Sequence, residues 1–125
     1  MPIAVKRIYE AAKKEDGERI LIDRVWPRGV SKEQANIDEW LKQVGPSKEL
    51  RQWFHHDPNK FNDFKKRYKE ELEQNEEQQE AMQRLKALVK EHQKNVTLVF
   101  AAKEKTYNHA QVLKEILDQQ PIETN

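Results

Sequence analysis

The chain has 125 residues, 36% hydrophobic and 36% charged, with a formal net charge of +1 and no cysteine. That length suits one domain with a single modest core, and the near-cancelled charge argues against a net-basic nucleic-acid binder, although a local basic patch remains open. Without cysteine there are no disulfides, thiolate metal sites or cysteine nucleophile. No apolar run approaches membrane-spanning length and the first residues do not read as a signal peptide, so the expected setting is soluble and cytoplasmic.

Residues 3–8, IAVKRI, alternate weakly and predict a first strand. The polar EAAKKEDGE that follows contains Gly17 and predicts a loop or one helical turn and a break. RILIDRVW, residues 19–26, predicts the second strand, with Ile20 and Ile22 on one face and Leu21 on the other. Apolar residues on both faces indicate a covered, central strand. Pro27 and Gly29 stop it. Ser31 and Gln34 fit a capping box for a very short helix. IDEWLKQV, residues 37–44, reads as a strand or as a helical turn. Ser47 is an N-cap for KELRQWFHH, which sets Leu50, Trp53 and Phe54 on one side.

Asp57 and Pro58 form a second helix start, a cap followed by proline at the first position. Phe61, Phe64, Tyr68 and Leu72 then recur at helical spacing. EQNEEQQE predicts a solvated helix end or link, and Met82, Leu85, Leu88 and Val89 mark the next helix, to about His92. NVTLVFAA is short, uninterrupted and β-branched, a strand buried on both faces. Thr106 is the expected cap of a last helix that carries His109, Val112, Leu113, Ile116 and Leu117 on one face. The chain therefore predicts one α/β domain over residues 3–119 and a flexible tail at 120–125. Its architecture is a small Rossmann-like layered sandwich of three or four mainly parallel strands flanked by helices. It has only three glycines, none grouped, and so lacks the dinucleotide fingerprint; a Walker loop is also absent.

Open α/β sheets bind ligands beyond the carboxyl ends of their strands. One such end carries Arg24, Trp26 and Arg28. The other, after TLVFAA, carries Lys103, Lys105, Asn108 and His109. If the two strands are parallel neighbours, these groups converge. Arginine suits planar recognition of phosphate or carboxylate, and the helix start at Ser47, with Arg51 one turn later, can share an anion. His109 is a candidate general acid or base, with Asn108 orienting the ligand. Plainer roles compete: ion pairing of Arg24 and Arg28 with Asp23, Glu18 or Asp38, packing for Trp26, and a satisfied core position for His109. His55 and His56 are adjacent and point apart, so they read as a helix end rather than metal ligands; neither a metal nor a cofactor is expected.

The segments ILIDRVWPRGVSKE, IDEWLKQVGPS, ELRQWFHHDPNKFNDFKKRYKEEL and VTLVFAAKEKTYNHAQVL together resemble the bacterial YeaO-like proteins, a family labelled a domain of unknown function. The resemblance runs from near residue 3 to near residue 117. Its signature positions include Arg24, Trp26, Pro27, Arg28, Ser47, Arg51, Asn108 and His109. Two positions depart mildly: Gly45 stands for the usual alanine and Lys103 for a common arginine. The resemblance implies a small Rossmann-like domain and supplies no reaction. Three functions follow as expectations. The first is binding of a small phosphorylated or nucleotide-like anion by Arg24, Arg28, Arg51, Lys103, Asn108 and Ser47, beside Trp26, with or without catalysis by His109. The second, less favoured, is a nucleic-acid-binding or regulatory module. The third is a protein-interaction domain that uses the long charged helices, which an exposed patch containing Met82 and Leu85 would support and their full burial would leave without a reason.

Overall fold

The computed structural model describes residues 3–119, so the expected tail at 120–125 lies outside the described residues. In chain order the elements are β1 (Ala4–Arg7), β2 (Glu18–Leu21), α1 (Lys32–Ala35), β3 (Glu39–Trp40), α2 (Lys48–Phe54), α3 (Phe61–Gln74), α4 (Glu76–Glu91), β4 (Val96–Phe100) and α5 (His109–Asp118). Single 3-10 turns stand at Lys14–Asp16, Lys42–Val44 and Pro58–Lys60. The four strands form one sheet in the order β1-β4-β2-β3, and every neighbouring pair is parallel. Leu98 of β4 lies between Val5 of β1 and Ile20 of β2. This is the Rossmann-like α/β layering expected, with four strands. No described helix is long and apolar enough to cross a membrane.

Strand alternation divides the core between the two faces of the sheet. Ile20, Ile22, Leu98 and Phe100 join Phe64 and Tyr68 of α3, Leu85 of α4 and Leu113 of α5 in the larger cluster. Leu21, Val99 and Ile8 face the other way, against Ala35 of α1 and the partly buried Trp26, Val30 and Ile37. Met82 and Leu85 are 5% and 0% exposed. The apolar stripe of α4 therefore belongs to the core, which removes the reason for proposing it as a partner face.

Several boundaries differ from expectation. β2 ends at Leu21, not near Trp26. Ile22 N–H still donates to Val99 O at 3.1 Å, but the next donor on β4's side, Ala101 N–H, is taken by the Asp23 carboxylate at 2.9 Å. A side chain thus replaces the ladder, and the chain is free to turn. IDEWLKQV contains both expected forms in sequence, a two-residue strand and then the Lys42–Val44 turn. The polar 73–80 stretch is almost wholly helical. Its break is the single extended residue Asn75 (φ −84°, ψ 122°), whose side chain caps α4 by accepting from Gln78 N–H. The cap of α5 is Asn108 rather than Thr106. Its Oδ1 accepts from Gln111 N–H and its amide donates to Glu104 O at 2.6 Å, a two-ended fit that a threonine hydroxyl two residues earlier cannot reproduce.

The parallel starts of β2 and β4 lie close together, and Gly17 makes that possible. It adopts φ +66°, and a Cβ there would stand 2.2 Å from Asn95 O. Beside it, Asp16 anchors a buried ionic cluster: Arg19 donates to its Oδ2 at 2.6 Å, Lys6 at 3.2 Å and Lys13 N–H at 3.0 Å. The other Arg19 donors go to the Ala35 and Asn36 carbonyls. Burial pushes the Asp16 carboxyl up, but the hydrogen bonds from Lys13 N–H, Lys6 and Arg19 together outweigh it, so its pKa lies below the ordinary value of 3.8.

Two predictions follow from this end of the sheet. Gly17→Ala is expected to destabilise the chain by about 3 kcal/mol or more, through strain and steric clash together, read as a fall in chemical denaturation midpoint. Asp16→Asn is expected to cost about 3 kcal/mol at neutral pH, because Arg19 and Lys6 lose the charge they surround. Folding lowers this pKa, so its contribution is complete above the unfolded value and is lost as the pH falls through the folded one. The stabilities of the two proteins should therefore converge in acid below pH 3.8; a difference that persists unchanged there would disprove the linkage.

Candidate functional site

β2 and β4 are parallel neighbours, so the loops that leave their carboxyl ends emerge on the same edge of the sheet. Asp23 is fixed between them. Its Oδ2 accepts from Ala101 N–H at 2.9 Å, and its main-chain carbonyl accepts from the Trp40 indole at 2.6 Å. Trp26 follows, held by an indole hydrogen bond to Val30 O at 2.7 Å and edge-on to Trp40 with ring centres 5.4 Å apart. Tyr9, beyond β1, donates to Arg28 O at 3.2 Å.

These loops and α2 enclose a cavity of about 900 Å³, within the span of roughly 300–1,000 Å³ usual for small-molecule sites. Arg24, Trp26 and Arg28 line it from the β2 side, Arg51 from α2 and His109 from the start of α5. The structure thus brings together five of the residues singled out in the sequence. Lys48, His55, His56 and Asp23 also line it. Among the described residues, the side chains of Arg28, Arg51 and Lys48 have no ion-pair or hydrogen-bond partner. The acids named as rival partners are engaged elsewhere: Asp23 with Ala101 N–H, Glu18 with His92, and Asp38 with Arg19 N–H. Arg24 differs, because its Nε donates to Gly45 O at 3.0 Å and so braces the wall. The approach is close: a Cβ on Gly45 would lie 3.1 Å from Arg24 Cγ.

His109 is the first residue of α5, with its ring 6.5 Å from that of Tyr68. Its Nε2 stands 2.9 Å from Asp23 Oδ1. The contact is off the alignment of a hydrogen bond, and both atoms are buried without another partner. Below it, the Tyr68 hydroxyl donates to Val44 O at 2.5 Å. Burial, and then the nearby Glu71 carboxylate, hold this phenol protonated well above its usual range. The more buried lining of the cavity is thus the Asp23–His109 pair with Phe54 and Phe64, and its exposed lining carries the cations.

Four residues singled out in the sequence do not line this cavity. Lys103 and Lys105 are exposed on the loop after β4. Asn108 is fully buried and spends its side chain capping α5. Ser47 caps α2 by accepting from Leu50 N–H, while its hydroxyl donates to Glu71 at 2.5 Å. It lines a separate groove of about 780 Å³ with Glu49, Glu70 and Glu71, where carboxylates oppose an anion. Lys48 was legible as the first residue of the helix that Ser47 caps. His55 and His56 were legible only as a helix end; both adopt left-handed backbone (φ 47° and 53°) that turns the chain along the cavity wall. Asp23 was considered only as an ion-pair partner for the arginines. Among the described residues, no group of three or more His, Asp or Glu is placed to hold a metal ion.

A family model described as the inactive DUF488-N3 subclade matches residues 2–125. The uncharacterized protein YeaO of Escherichia coli (strain K12) is 42% identical over 117 residues, which cover 94% of this chain and 97% of that protein. The uncharacterized proteins Rv3073c of Mycobacterium tuberculosis and Mb3100c of Mycobacterium bovis are each 40% identical over 116 residues, covering 93% of this chain and of theirs. No solved structure matches the chain significantly. With a family model spanning it almost end to end and relatives of this similarity, the chain belongs to the YeaO-like family, within the inactive DUF488-N3 subclade.

Proposed function

We propose that the protein binds a small phosphorylated or nucleotide-like anion in the cavity at the carboxyl ends of β2 and β4, and holds it without turnover. The observation that carries this reading is the set of Arg28, Arg51 and Lys48: three cations on one cavity, none with a side-chain partner among the described residues. Unpaired guanidiniums facing a concavity favour a planar, multiply charged oxyanion, which accepts parallel hydrogen bonds. Trp26, its indole N–H held by Val30 O, adds an apolar surface. Two features favour binding over chemistry. The family model that matches the chain describes an inactive subclade, and the Asp23–His109 pair is out of hydrogen-bond alignment. The formal charge of +1 supports a small anion over a nucleic-acid polyanion.

Arg28 is exposed and its side chain has no partner among the described residues, so Arg28→Ala is expected to leave the melting temperature of the free protein unchanged. It should weaken binding of inorganic phosphate or AMP about tenfold or more, the scale of one charge-assisted hydrogen bond, and abolish the thermal shift they produce. If no phosphate compound raises the melting temperature of the wild type, the proposal fails. Crystals grown from sulfate are expected to hold an anion between Arg28 and Arg51; sulfate found only elsewhere would count against this location.

A further inference from the structure

The cavity has two electrostatic poles, and they constrain the ligand beyond its charge. The cations lie on exposed residues, whereas Asp23 and His109 are mostly buried, with side chains 16% and 12% exposed. A second anionic group at the inner pole would meet the Asp23 carboxylate, so the group that reaches it must be neutral. The imidazole indicates its chemistry. Asp23 Oδ1 stands 2.9 Å from His109 Nε2, close enough that, even off hydrogen-bond alignment, the carboxylate attracts a proton on that nitrogen and disfavours a bare lone pair there. The ring proton therefore belongs on Nε2, toward the carboxylate. Nδ1 remains, and it makes no hydrogen bond among the described residues. A hydroxyl suits this atom whatever its protonation, because it can both donate and accept.

Building on the anion-binding reading above, we infer that the ligand is a phosphomonoester that also carries a hydroxyl, of the sugar-phosphate class, with its phosphate on Arg28, Arg51 and Lys48 and its hydroxyl on His109 Nδ1. The cavity of about 900 Å³ accommodates such a molecule rather than only a bare oxyanion.

The test compares inorganic phosphate with ribose 5-phosphate on the full chain, by calorimetric titration and by nitrogen NMR of the His109 imidazole. Ribose 5-phosphate is expected to bind about tenfold tighter, the upper range for one net hydrogen bond, and it alone should shift the Nδ1 resonance. His109→Phe should close the gap between the two probes, and Arg28→Ala should weaken both to the same degree; His109→Asn serves if the phenylalanine variant misfolds. Equal wild-type affinities, or an Nδ1 resonance unmoved by the sugar phosphate, would overturn the hydroxyl contact and leave the anion site standing. Failure of both probes to bind would overturn the anion site as well.

Discussion

The Asp23 carboxylate is the interaction on which the site's geometry depends. One residue accepts the first main-chain donor beyond β4, receives the Trp40 indole on its own carbonyl and faces His109. By occupying Ala101 N–H it ends the ladder between β2 and β4 and lets their two loops separate. Without that substitution of side chain for backbone, residues 22–26 could continue the strand, as their apolar pattern suggests. The arginines would then lie along a sheet and not around a cavity. The short β3 stands at the sheet edge beside β2, and its Trp40 donates back to the Asp23 carbonyl.

Much of this was legible because periodicity and capping are local. The amphipathic spacing of Phe61, Phe64, Tyr68 and Leu72, the Ser47 and Asp57 caps and the doubly buried β4 all reflect interactions within a few residues of one another. What the sequence concealed was long-range. Asp16 gathers Lys6, Lys13 and Arg19 from three segments, and nothing about an aspartate in a polar loop announces that it is a buried hub. The same limit applied to the site. The strand-end arginines and His109 could be placed together from topology alone. Lys103 and Asn108 could not be separated from them, because whether a side chain faces a cavity or caps a helix depends on one or two residues of loop geometry.

The division of labour among the cations follows from their surroundings. Arg24 is tied to the Gly45 carbonyl, which Gln78 of α4 also approaches at 3.2 Å. It belongs to the frame that joins α4, the Lys42–Val44 turn and the β2 loop. Arg28 and Arg51 line the same cavity with no carboxylate paired to them among the described residues. One braced charge and three without a side-chain partner among the described residues, on the β2 loop and α2, make a graded surface, in which the frame holds its shape while the other side chains adapt to what enters.

The two faces of the sheet are covered very unequally. One carries α3, α4, α5 and most of the buried apolar side chains, and the other carries the four-residue α1 and a few partly buried loop residues. Local opening costs least where few apolar contacts are lost. The segment from Trp26 to Ile37 belongs to the thin side, and Arg28 rides on it. The cavity thus has one wall rooted in the core and one held by fewer apolar contacts, so amide exchange in that segment should report local opening set separately from global unfolding.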